Sequence, residues 1–133
     1  MTDLTLATTR RYEVIDITDE LIARVPPDAD GVALVYLKHT TAALAIGPTD
    51  EGMIRDFERV AERWLAGLGP FEHNENNNPN GEAHILSTFG GTQLLIPIDG
   101  GKLDLGKWQR VLLLELDGPQ RRSVGVRVYR LPT

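Results

Sequence analysis

Val32-Ala33-Leu34-Val35-Tyr36-Leu37-Lys38-His39-Thr40-Thr41-Ala42-Ala43-Leu44 is the stretch whose reading decides the fold. Residues 32–38 are nearly continuously apolar within a short window, which predicts a central strand covered on both faces. His39 then emerges from the interior at a strand end. Neutral imidazole binds metals and titrates near physiological pH, so His39 is either a metal ligand or proton carrier, or a hydrogen-bonded core residue. A single histidine carries no spacing to decide between these readings. Leu44, Ala45 and Ile46 predict a continuation of the sheet, broken by Gly47-Pro48.

Upstream, residues 3–8 and 12–17 alternate apolar with polar and predict two short strands forming a hairpin around Arg10 and Arg11. Thr18 reads as the N-cap of a short helix, with Asp19 and Glu20 in its first turn and Pro26-Pro27 ending it. Downstream, Thr49 or Asp50 caps a helix reaching about Ala66, because Met53, Phe57, Val60, Ala61, Trp64 and Leu65 recur at three- and four-residue intervals. Residues 67–81 are rich in Gly, Pro and Asn and form a long loop, a feature more often functional than accidental in a compact domain. Residues 82–89 predict a short helix ended by Gly90-Gly91. Strands follow at 93–98, 102–105, 109–116 and 123–131, the last with Val124, Val126 and Val128 on a buried face. The expectation is one α+β domain over residues 1–133, with mixed or antiparallel sheets and two main helices.

The length supports one domain with a real core. Cysteine is absent, so disulfides, thiolate metal sites and cysteine nucleophiles are excluded. A net charge of −5, from 14 basic and 19 acidic residues, argues against a general nucleic-acid binder. The N-terminal residues lack a signal-peptide pattern, and no apolar run reaches membrane-spanning length. The expected location is the cytoplasm.

Three histidines, His39, His73 and His84, fall at element ends or in loops, where functional residues concentrate. Their spacing matches no short-range metal motif, but three imidazoles with an open fourth position would make a catalytic zinc-type site. Asp50, Glu51 and Asp56 gather at the start of the long helix, either to complement its dipole or to serve a site. Glu115 interrupts an apolar strand and must face a polar cavity or be paired. Arg121 and Arg122 follow the Asp117-Gly118-Pro119 turn; their guanidinium forks suit a phosphate, or they form a solvated edge-strand pair. Gly90-Gly91-Thr92 reads as a turn, and Trp108-Gln109 as core plus one polar contact.

Taken in order, His39-Thr40-Thr41-Ala42-Ala43-Leu44, Asp50 and Asp56 with Glu58-Arg59, Glu72-His73, His84, Leu95-Ile96-Pro97-Ile98, Leu105-Gly106-Lys107-Trp108-Gln109 and Glu115-Leu116-Asp117-Gly118-Pro119-Gln120-Arg121 cover nearly the whole chain. In these segments the chain resembles the YjbQ-like secondary thiamine-phosphate synthase family. The resemblance implies a small α+β homotrimer whose pocket takes His39, His73 and His84 and holds a divalent metal, zinc first, with magnesium possible alongside a diphosphate. The implied activity joins hydroxymethylpyrimidine diphosphate to thiazole phosphate and releases pyrophosphate. Asp50 and Glu115 are then the candidate acid/base or supporting groups, and Arg121, Trp108 and Gln109 the candidate contacts to a small phosphorylated substrate. The chain departs from the family pattern at Gly47-Pro48-Thr49-Asp50-Glu51, at Asn80 where an aspartate is usual, and at Gln120 where the turn usually continues into arginine. The alternative is a non-catalytic trimer that binds a small phosphorylated or anionic ligand; neither reading involves nucleic acid or membrane.

Overall fold

A computed structural model describes residues 2–75 and 77–132. Its strands are β1 (Thr2–Ala7), β2 (Glu13–Asp16), β3 (Gly31–Leu37), β4 (Ala42–Gly47), β5 (Gln93–Asp99), β6 (Lys102–Leu103), β7 (Arg110–Glu115) and β8 (Arg121–Arg130). Its α-helices are α1 (Thr18–Ile22), α2 (Glu51–Arg63) and α3 (Gly81–Gly90), with a 3-10 turn at Glu72–Glu75. The expected α+β architecture is what these elements build. One five-stranded sheet runs β1-β8-β3-β5-β6 and a three-stranded sheet runs β2-β7-β4. All described strand pairs are antiparallel.

The two sheets face each other across the main core. Leu4, Val35, Leu37, Ile96, Val124 and Val126 come from the larger sheet, Ala42, Leu44, Val111 and Leu113 from the smaller, and Ile17 and Leu21 close one side. α2 and α3 contribute to a second apolar cluster against the smaller sheet, built from Ala43, Leu65, Ala83, Leu86 and Leu116. No described helix is long and apolar enough to cross a membrane.

Several expectations are corrected. β3 is central in its sheet, but its burial alternates, so only one face is covered. Leu34 and Tyr36 look outward and are half-buried, beside Leu95 and Tyr129, which are 69% and 54% exposed. β1 and β2 form no hairpin: β1 pairs with β8 and β2 with β7. Their apolar sides enter the same core from opposite sheets, and residues 8–12 cross between. Thr18 starts α1 rather than capping it. The Asp16 carboxylate accepts from its N–H and hydroxyl, and its Oγ1 accepts the Val111 N–H at 2.8 Å.

α2 is capped by Asp50, whose carboxylate accepts the Met53 N–H at 3.1 Å. The helix ends at Arg63, short of Ala66, and none of its residues is buried. α3 stops at Gly91, whose φ of 97° lies where glycine has no steric penalty.

Three of the passages between the sheets, residues 8–12, 38–41 and 116–120, are short loops. Register places all three crossings at one end of the sandwich: Glu13 and Ala42 both lie opposite Glu115, Ala7 opposite Arg121, and Leu37 opposite Val124. The candidate site grows from this end.

Candidate functional site

Glu115 ends β7 and Arg122 lies near the start of β8, both 1% exposed. A buried carboxylate or guanidinium is costly unless paired and hydrogen-bonded. Here each is both. Glu115 Oε1 accepts from Arg122 Nε at 2.9 Å and from the Thr8 hydroxyl at 2.7 Å. Its Oε2 accepts from Arg122 Nη2 and from the backbone N–H groups of Leu116 and Asp117. Arg122 Nη2 also donates to the Thr41 carbonyl and hydroxyl. Burial pushes the Glu115 carboxyl up, but Arg122, Thr8 and the Asp117 N–H together bring it below the usual carboxylate range. Thr8, Thr41 and the ion pair belong to the three crossings, so one polar knot ties them.

The reading of Arg122 as an anion holder or a solvated edge residue is therefore overturned: its charge is spent internally. Arg121 is exposed.

His39 lies in the second crossing and is half-buried. Pairing of β3 with β8 stops at Leu37 opposite Val124, so the next β8 amide has no strand carbonyl to meet. The His39 ring takes that place, Nε2 accepting the Ser123 N–H at 3.1 Å. Burial and the nearby Arg122 charge hold its pKa below the ordinary histidine value, against a smaller opposing pull from Glu115. His39, Lys38 and Thr40 line one side of a hollow of about 480 Å³ whose lining also includes Ser87, Thr88 and Thr92. Ser87 donates to the Ala42 carbonyl at 2.6 Å, docking α3 on β4.

His84 lies one helical turn before Thr88, whose hydroxyl donates to its carbonyl. Its ring meets that of His73 edge-on, the centroids 4.7 Å apart and the planes at 69°. His73, in the 3-10 turn, engages Asn80 Oδ1 through Nε2 at 2.9 Å, and Asn80 Nδ2 donates to Asp117 Oδ2 at 2.9 Å. Two of the three histidines thus meet, beside a turn that leads back to Glu115. Among the described residues, no group of three or more His, Asp or Glu side chains forms a ready metal site. His73 and His84 are the two imidazoles that the fold brings together, and His39 and His73 each have one ring nitrogen engaged and one left over.

The remaining candidates are dispersed. Asp50 caps α2. Gln109 Oε1 accepts the Gly106 N–H at 2.7 Å, a local loop bond. Trp108 is 73% exposed and carries Lys107 Nζ 5.0 Å above its ring, which corrects its reading as core. Sequence reasoning missed Asn80, Asp117, Thr8, Thr41 and Ser123 as parts of the network. Asn80 stood out only as a departure from the family pattern, without a partner to name, and a backbone N–H such as that of Ser123 carries no sequence signal.

The model of the family described as UPF0047 protein YjbQ-like matches residues 2–130. A UPF0047 protein of Archaeoglobus fulgidus is 41% identical over 125 residues, spanning 94% of this chain and 98% of that protein. Another from Methanothermobacter thermautotrophicus is 31% identical over 98% of this chain and 92% of its own length. Among solved structures, the hypothetical protein APE1520 of Aeropyrum pernix K1 superposes with a TM-score of 0.91 at 32% identity, covering 98% of each chain. A YbjQ-like protein of unknown function from Sulfolobus solfataricus P2 gives 0.87 at 30% identity, covering 96% of this chain and 94% of that one. With the sequence matched nearly end to end and the fold shared, the chain belongs to the YjbQ-like UPF0047 family.

Proposed function

We propose that the chain is a small metal-dependent transferase of the thiamine-phosphate synthase type, joining hydroxymethylpyrimidine diphosphate to thiazole phosphate with release of pyrophosphate, and working as a homotrimer. The observation that carries the metal-site reading is the contact between the His73 and His84 rings beside an anchored polar network. His73 and His84 would hold a divalent metal, zinc first, with His39 completing the set; magnesium would accompany the diphosphate. When bound, such an ion neutralises charge on a leaving diphosphate. Arg121, which is exposed, would receive an anionic group, with Trp108 and Gln109 as further substrate contacts. Both oxygens of Glu115 are occupied, so its contribution is to hold the crossings and the turn in place. Asp50 is the acid/base candidate that remains. The outward row of Leu34, Leu95 and Tyr129 supports assembly, because exposed contiguous apolar surface marks interaction sites.

The test is to purify the chain without a histidine tag, measure its metal content, and incubate it with the two substrates. Stoichiometric zinc and appearance of thiamine phosphate, both lost in His84→Ala, are the expected results. Substrate binding without turnover would favour the non-catalytic binding protein; absence of metal would remove the metal from the proposal.

A further inference from the structure

Asn80 occupies the N-cap of α3, a position asparagine favours because its side chain can accept a helix N–H. It does not do so. Its side chain makes no cap bond. The cap is supplied from outside the helix, by Asn74, whose Oδ1 accepts the Gly81 N–H at 2.7 Å. Asn80 is only 5% exposed, and both ends of its amide are used elsewhere: Nδ2 to Asp117 Oδ2, Oδ1 to His73 Nε2. A cap residue released from capping and buried between a carboxylate and an imidazole has been given another task.

The bond directions follow from elementary chemistry. An ionised carboxylate only accepts, so the Asn80 group facing Asp117 must be the NH₂. The other end of the amide is then the carbonyl oxygen, which also only accepts. His73 Nε2 must therefore donate. In a neutral imidazole one nitrogen carries the proton and the other the lone pair. Flipping the amide would set its oxygen against the Asp117 carboxylate, and although the NH₂ could still meet an imidazole lone pair, that repulsion fixes the amide as described.

We propose that Asn80 and Asp117 are positioning residues that lock His73 as the tautomer protonated on Nε2, leaving the lone pair on Nδ1 for a ligand. Hydrogen-bond partners on the far ring nitrogen set ring orientation and tautomer in metal-binding histidines. The tautomer itself stands on the hydrogen-bond chain alone. Its use toward a divalent cation rests on the reading under "Proposed function", in which His73 and His84 share that cation.

The experiment is long-range proton–nitrogen correlation NMR on the uniformly ¹⁵N-labelled full chain, at alkaline pH where imidazoles are neutral. With three histidines, His73→Gln assigns the ring signals. The expected result is His73 predominantly protonated on Nε2, with Asp117→Ala and Asn80→Ala shifting it to a mixture of tautomers and Asn80→Asp preserving the Nε2–H form. A His73 protonated chiefly on Nδ1 in the unaltered chain overturns the proposal, and this reading does not depend on any variant folding. So does an unchanged tautomer in a folded Asp117→Ala variant. Zinc titration separates the two layers: a 10- to 100-fold weaker affinity in Asn80→Ala supports the positioning role. The expected tautomer without zinc binding upholds the lock and defeats the metal reading.

Discussion

Arg122 and Glu115 meet side-on in the dry end of the sandwich, with Nε to Oε1 at 2.9 Å and Nη2 on Oε2. Removing one partner leaves an uncompensated buried charge. Glu115→Leu and Arg122→Met are each expected to cost about 3–5 kcal/mol, whereas replacing both together costs far less. Denaturant unfolding of Glu115→Leu, Arg122→Met and the double variant measures this. A double variant as unstable as the sum of the singles would contradict it.

Acid should destabilise the protein in two stages. His39 has a folded pKa below its unfolded value of about 6.5, so the unfolded chain binds the extra proton first and stability falls as pH drops below that value. Glu115 is likewise depressed, and its contribution, full above an unfolded pKa of about 4.3, is lost as pH falls further through the folded value. Chemical denaturation across the acidic range is the measurement. His39→Gln should remove the first stage and leave the second.

Asp50→Ala should lose about 1 kcal/mol of stability and Asp50→Ser only a few tenths, because serine also caps. Thermal melts read the cap. Turnover reads the chemistry: activity lost in a stable Asp50→Ser variant assigns the carboxylate to the reaction, while activity retained confines Asp50 to capping.

Leu95→Glu and Tyr129→Glu place charge on the outward face of the larger sheet. Both side chains are exposed in the single chain, so folding should change by no more than about 0.5 kcal/mol. On the proposed assembly, the mass in solution falls from trimer to monomer. Light scattering coupled to size exclusion checks it, and an unchanged trimer would move the interface elsewhere.

Periodicity revealed α2 and the last strand, since a one-sided apolar face leaves its mark every three to four or every two residues, while α3 was legible from its glycine stop. Periodicity could not reveal pairing. Residues 3–8 and 12–17 read as a hairpin because adjacency is the default, yet both present apolar sides that two different sheets satisfy equally well. Glu115 announced itself by breaking an apolar run, but its partner Arg122 looked like half of a basic surface pair. Only the third dimension distinguishes a spent charge from a free one. His73 and His84 could be named from the sequence as candidates, while Asn80 stood out there only as a departure from the family pattern, with nothing to tie it to His73. Trp108 misled for the opposite reason: aromatic character predicts burial, and it is open to solvent.

The knot at the three crossings also bears on how the chain reaches this state. Thr8 and Glu115 are 107 residues apart, and Thr41 and Arg122 are 81 apart. Contacts of such separation repay their loop-closure entropy late, after local hairpins and helices have formed. During synthesis the Thr8 crossing must wait for almost the entire chain. Weakening the knot is therefore expected to accelerate unfolding while leaving the refolding rate nearly unchanged, with φ-values near zero at Glu115 and Arg122. The same clasp then acts as a kinetic latch, holding the finished sandwich shut without having guided its assembly.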